Sequence, residues 1–206
     1  MKASRLIWAA LAGALLLLGT PLASARADDS ATQLVERTAE DMLRTLKAKR
    51  AQIDARPQLI YQLVGTKLAP HFDFERITRS AVGKDWSKAT PAQQKVLVSE
   101  FQEVLVRTYA KALLGYSGQE VRYLPEKPGK SGTVVVPTEV SESGGKPIPI
   151  DYRTHNRGGS WKVFDVKIDN VSLVSNYRSS FNSQIRKDGI DGLIKRLGEM
   201  NTQGQG

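Results

Sequence analysis

Cysteine is missing from this chain, and histidine occurs only twice, at His71 and His155. Cysteine-based zinc and iron-sulfur centres, thiol nucleophiles and disulfide scaffolds are thereby excluded, and nothing calls for a metal or a cofactor. A Gly-x-Ser-x-Gly elbow, a phosphate loop and a His-Glu-x-x-His pattern are also absent, which removes the commonest hydrolytic and nucleotide-binding signatures. The longest apolar run, Leu6 to Leu18, has 13 residues, well short of the roughly 20 that span a bilayer. Acidic residues are in deficit, with 21 Asp and Glu against 30 Lys and Arg for a net charge of +9.

What is present describes one domain behind a leader. Lys2 and Arg5 precede the apolar run, and Ala23-Ser24-Ala25 and Ala25-Arg26-Ala27 offer small-x-small cleavage sites. Residues 1–27 therefore read as a cleaved secretory signal. No cysteine follows the run to carry a lipid anchor, so the exported chain is expected to be freely soluble. Lys2, Arg5 and Arg26 leave with the leader. The remaining cations are scattered, with short clusters at Lys47, Lys49, Arg50 and at Arg186, Lys187. None carries the interleaved aromatics of a nucleic-acid groove, so no nucleic-acid partner is expected. A length of 206 residues with 40% hydrophobic content suits a single domain over 28–200, followed by a disordered tail over 201–206.

The first two-thirds of the domain has helical periodicity. Ser30 is placed as the N-cap of a helix carrying Leu34, Val35, Met42, Leu43 and Leu46 on one stripe. Pro57 opens a second segment, which Pro70 stops. A short helix is capped by Asp73 and closed by Gly83. The run Thr90-Pro91-Ala92-Gln93 combines an N-cap, a proline at N1 and a capping-box glutamine, and Gly115 ends the long helix that follows.

After Gly118 the period becomes two. Val121 and Tyr123, Val134 to Val140, Ile148 to Thr154 and a fourth strand from Trp161 form an antiparallel meander. Ser143-Gly144-Gly145 and Asn156-Arg157-Gly158-Gly159 serve as its turns. In the fourth strand Trp161 and Val163 share a phase, whereas Phe164, Val166 and Ile168 take the other, which predicts a bulge near Val163 that curls the sheet. A helix from about Ser172 to Arg186 and another entered at Asp188-Gly189-Ile190-Asp191 close the chain. The fold class expected is α+β, a strongly curved antiparallel sheet of four to five strands against a helical layer, with an apolar cavity between them.

Chemistry-bearing residues are sparse. His155 and His71 read as polar turn and loop residues. Asp151 and Asp165 are candidate carboxylate bases, although alternation with apolar neighbours places both toward solvent. The surplus lies in large apolar side chains that would converge. Phe72, Phe74, Ile77, Val82 and Trp86 sit on short helices, and Phe101, Leu105 and Tyr109 on the long one. Tyr152, Phe164, Val166 and Ile168 sit on strands, and Val171, Leu173, Val174, Tyr177 and Phe181 lead into the closing helix. These residues read either as a solid core or, since a curled sheet facing helices can leave space between its layers, as the lining of an apolar hollow of the kind that takes small molecules.

Several separated motifs then occur in a familiar order. They are Asp73-Phe74, Gly83-Lys84-Asp85-Trp86, Ala89-Thr90-Pro91-Ala92-Gln93-Gln94, Phe101 and Thr108-Tyr109-Ala110. They continue as Trp161-Lys162-Val163-Phe164-Asp165-Val166, Val171-Ser172-Leu173-Val174, Arg178 and Asp188-Gly189-Ile190-Asp191-Gly192-Leu193. From about Leu34 to Leu197 the chain resembles the MlaC family of periplasmic phospholipid-binding proteins, also called toluene-tolerance auxiliary components of an ABC transporter. The resemblance implies a sheet similar to that of the nuclear-transport-factor-like group, and a soluble carrier rather than an enzyme. It implies glycerophospholipid moved across the periplasm between an outer-membrane lipoprotein-porin complex and an inner-membrane ATP-driven transporter with an MCE-domain subunit, maintaining outer-membrane lipid asymmetry. It also implies acyl tails held between sheet and helices with the headgroup largely exposed, so the apolar residues above become tail-binding candidates. Arg178 and Lys195 are candidates for docking.

Acyl burial is worth about 0.8 kcal/mol per methylene, so two chains of roughly sixteen carbons approach the ceiling of non-covalent affinity before costs. Competing readings are an isomerase using Asp165 or Asp151 as base, a binder of another apolar solute such as a solvent or hopanoid, and a structural adaptor without ligand.

Overall fold

A computed structural model describes residues 30–141 and 145–203. The leader over 1–27, Ser143-Gly144 of the expected hairpin turn and residues 204–206 of the expected tail lie outside the described residues. Helix α1 (Ala31–Ala48) starts as its sequence dictates. The Ser30 hydroxyl accepts the Gln33 N–H while Gln33 Oε1 accepts the Ser30 N–H, a complete capping box. Helix α2 (Arg50–Ala55) follows at once. Helix α3 (Leu59–Leu63) continues through a π turn over Val64–Leu68 into a 3-10 turn, Ala69–His71, at Pro70.

Helix α4 (Phe74–Val82) has Asp73 as N-cap, its carboxylate accepting the Arg76 N–H, and Gly83 at φ 69° as C-cap. A 3-10 turn, Gly83–Lys88, leads to helix α5 (Pro91–Leu114), which carries the Thr90 and Gln93 capping box.

Six antiparallel strands follow: β1 (Glu120–Tyr123), β2 (Lys127–Pro128), β3 (Val134–Ser141), β4 (Ile148–Arg157), β5 (Ser160–Ile168) and β6 (Val171–Ser172). Their order is β1-β3-β4-β5-β6, with β2 also pairing with β3. Beyond the four strands read from periodicity, the sheet has β2 and β6, each only two residues long, too short to show periodicity. The predicted bulge is present. Thr154 pairs with Val163 and Arg153 with Asp165, so Phe164 is the extra residue. The phase change therefore comes one residue later than the sequence suggested. Phe164 points toward His155 and Arg153, whereas Val166 pairs with Tyr152 and Ile168 with Ile150 on the opposite face.

The chain closes in helix α6 (Leu173–Gln203), broken at Gly189 with φ 72° and ψ −172°, as the two expected helices require. It continues beyond Met200, the end assigned to the domain. Asn201 is buried and donates from Nδ2 to the Glu100 carbonyl and to Glu100 Oε2.

Asp165 fixes the start of α6. It is 3% exposed, not solvent-facing as its alternation suggested. Its Oδ1 accepts the Val174 N–H at 3.1 Å, its Oδ2 accepts the Ser172 hydroxyl at 2.8 Å, and Arg153 lies 3.4 Å away. Asp165 does lie opposite Val166 and Ile168, as alternation places it, but the start of α6 covers that face.

The largest apolar cluster lies between α4, α5, α6 and Phe164. A second joins α1, α2, α3 and the C-terminal half of α5, and a third sets Ala31 and Val35 of α1 against Val136 of the sheet.

Two substitutions test these assignments. Gly189→Ala adds a Cβ that meets nothing within 4 Å, so its cost reports backbone strain alone. A loss of about 1–3 kcal/mol in urea unfolding is expected, and an unchanged midpoint would mean that the break is not needed. Asp165→Ala removes the anchor of α6 and leaves Arg153 without its buried partner. A loss of about 3 kcal/mol is expected, and a loss below about 0.5 kcal/mol would contradict the anchoring role.

Candidate functional site

Most of the residues expected to converge do so. On α5, Phe101, Leu105 and Tyr109 are spaced four apart and share one stripe. Phe101 is fully buried, with its ring centroid 4.8 Å from those of both Tyr177 and Phe181 on α6, each edge to face. Helix α4 contributes Ile77 and Val82, and β5 contributes Phe164. Val174, Leu173, Trp86 and the stacked pair Phe72 and Phe74 complete the cluster. Phe72 also forms a single parallel bridge to Val163, and the Asp73 N–H donates to the Val163 carbonyl at 2.8 Å, which ties this segment to β5.

The remaining candidates lie elsewhere. Tyr152 packs in the smaller cluster under α1, while Val166, Ile168 and Val171 belong to neither cluster. By register, Tyr152 pairs with Val166, Ile150 with Ile168, and Ile168 with Val171, so all five share one face. Toward its β6 end this strip is open, with Ile168 37%, Ile148 50% and Val171 61% exposed. The packed cluster meets β5 through Phe164, and the apolar strip lies on the other face of that strand. Helix α5 packs closely on α3, α4 and α6, whereas the sheet packs closely on α1, α4 and α6. The long helix and the sheet meet chiefly through the elements that flank them.

Three surface clefts carry polar rims. One of about 990 Å³ follows α5 past Trp86, Lys95 and Glu103. One of about 620 Å³ lies between α4 and the end of β4, and one of about 420 Å³ lies beside Pro70 and Lys162. None of the three is lined by Phe101, Leu105, Tyr177 or Phe181.

Burial sets the titration of the interior. It raises the Tyr109 and Tyr177 hydroxyls above their ordinary range, the latter opposed by a hydrogen bond with Thr108. It raises Tyr152, and it pushes Tyr123 to about 12 with help from Glu40. His155 is not a turn residue but lies on β4, with its Nε2 3.0 Å from Asp73 Oδ2 and its ring edge-on to Phe164. Burial and the Arg76 charge hold it below the ordinary histidine value, against the pull of Asp73. His71 is half-buried in the 3-10 turn and is lowered chiefly by burial. Of the two carboxylates considered as bases, Asp165 is committed to the α6 N-terminus, and Asp151 is half-buried opposite Lys167. Sequence reading missed the Asp73–His155 contact, which joins positions 82 apart. The capping aspartate was its only local signal.

Comparison with known proteins agrees with this geometry. The toluene tolerance protein ttg2D of Pseudomonas putida is 29% identical over 159 residues, covering 77% of this chain and 74% of that protein. The intermembrane phospholipid transport system binding protein MlaC of Haemophilus influenzae is 24% identical over 184 residues, covering 87% and 86%. A solved structure of the phospholipid-binding protein from Ralstonia solanacearum, in complex with a phospholipid, matches with a TM-score of 0.79 and 35% identity, over 86% of this chain and 99% of that one. The family model described as MlaC protein matches residues 36–199, and the chain belongs to the MlaC family.

Proposed function

We propose that this protein is a periplasmic carrier of glycerophospholipid, exported by its N-terminal leader. Lipid passes between an outer-membrane lipoprotein-porin complex and an inner-membrane ATP-driven transporter with an MCE-domain subunit, in service of outer-membrane lipid asymmetry. The observation that carries the reading is the fold shared, over nearly its whole length, with a protein solved around a phospholipid. Family membership supports it, as does the lack, among the described residues, of a helix long and apolar enough to cross a membrane.

The tails lie along the strip of Tyr152, Val166, Ile168 and Val171, beside the part of that face which α1 covers. Exposed apolar strips are unfavourable in water, and covering one with acyl chain recovers about 25 cal/mol per Å². Phe101, Ile77 and Val82 are fully packed and serve as the wall behind. Two chains of roughly sixteen carbons could supply about 25 kcal/mol, more than any observed affinity. The surplus is available to offset the cost of rearranging side chains around the tails. Tail burial of this kind discriminates weakly among headgroups, and release requires a partner that favours the unloaded conformation.

Val171→Glu and Val166→Glu test the strip. Val171 is mostly exposed without lipid, so the glutamate is hydrated in the unloaded protein and the variant folds, whereas in the loaded protein the charge faces acyl chain. Solvent extraction of the purified proteins should recover at least tenfold less phospholipid per chain from Val171→Glu than from the parent. Equal recovery from both folded variants would remove this strip from the binding site.

A further inference from the structure

The cleft between α4 and the end of β4 is not used by the proposed carrier site. It lies on the face of β4 that holds Arg153 and His155, opposite to Tyr152, and toward the Arg157 end of the strand rather than the Ile148 end. Its volume of about 620 Å³ falls within the range of small-ligand sites.

Its charges are unevenly matched. Arg76, Arg79, Ser80 and Gly83 recur at three-and-four spacing along α4 and all line the cleft. From β4 come His155 and Arg157. Two carboxylates share the space, and both are engaged. Asp73 caps α4 and meets His155 Nε2 at 3.0 Å and Arg157 at 3.5 Å, and Glu75 lies 3.6 Å from the same Arg157. Among the described residues, neither Arg76 nor Arg79 has a carboxylate within ion-pair distance. Two like charges one helical turn apart repel, so the arrangement lacks an anion.

The site is also built. The Arg76 guanidinium carbon sits 4.0 Å from the centre of the buried Phe164 ring. Stacking occupies the flat side of a guanidinium and leaves its N–H donors, which lie in its plane, for a ligand. The Arg178 side chain donates twice to the Ser80 carbonyl, at 2.9 and 2.6 Å, steadying the end of α4. His155 is held by Asp73 and forms one wall of the cleft. Planar, bidentate donors around a small concave space match a tetrahedral oxyanion.

We propose that this cleft binds a phosphate group through Arg76 and Arg79, separately from the lipid cargo. The phosphate could be free in solution or borne by a membrane surface, and the two sources share the same recognition chemistry.

Titration of the full protein with inorganic phosphate, at ionic strength held constant with chloride, reads the site by amide NMR. Saturable shifts at Arg76, Arg79, Ser80 and Gly83 are expected. Arg79→Gln should weaken binding about tenfold, and because Arg79 is exposed and without a described side-chain partner, the variant folds and keeps its extracted lipid. Arg76→Lys should weaken it as well, since lysine cannot offer two donors in one plane. Sedimentation with phosphatidylglycerol vesicles forms the second arm. Loss of vesicle binding in Arg79→Gln, alongside loss of phosphate binding, supports the site and assigns a membrane source. Loss of phosphate binding alone supports it and assigns a soluble one. Shifts that do not saturate, or phosphate binding unchanged in Arg79→Gln, would overturn the proposal.

Discussion

One inserted residue governs the architecture. Phe164 is the bulge in β5, and it divides the strand's side chains between two environments. Before it, Val163 shares a face with Thr154, and after it Val166 shares that same face with Tyr152. Phe164 and Asp165 are instead both turned to the other side, the ring toward His155 and Arg153 and the carboxylate toward the start of α6. Without the extra residue the alternation would run on, and either Asp165 would lose α6 or Val166 would leave the apolar face.

From that constraint follow both the packed and the open parts of the molecule. Asp165 holds α6 to the sheet, and α6 brings Tyr177 and Phe181 onto Phe101 of α5. The same strand presents Val166 and Ile168 on a face that α1 covers only at the Val136 end. A protein that must take up and release acyl chain needs this combination. A wholly filled interior would exclude the tails, and a wholly open one would aggregate.

Much of this was legible in the chain, for local reasons. Thr90 with Gln93, Asp73 with Gly83, and Gly189 each specify a helix end within a few residues, and the structure uses each as read. The bulge left a trace because apolar alternation changes phase between Trp161 and Ile168. Contacts that join distant segments left none. Asp73 and His155 are unremarkable in sequence and meet only after α4 is laid along β5. Asp165 was misread because alternation assigns a face but does not say that α6 will cover it. The division of the large apolar residues between the two faces of the sheet left no trace either, since a pattern of such residues does not say which of them pack on one another.

The proposed carrier role requires acyl tails on the strip beside Tyr152, Val166, Ile168 and Val171. Native mass spectrometry of the unmodified protein, purified without detergent from the periplasm of its expression host, tests it most directly. A mass increment equal to an intact diacyl phospholipid on most molecules, identified on its release, is the predicted result. A bare chain across independent preparations, with no increment after incubation with phospholipid vesicles, would contradict it.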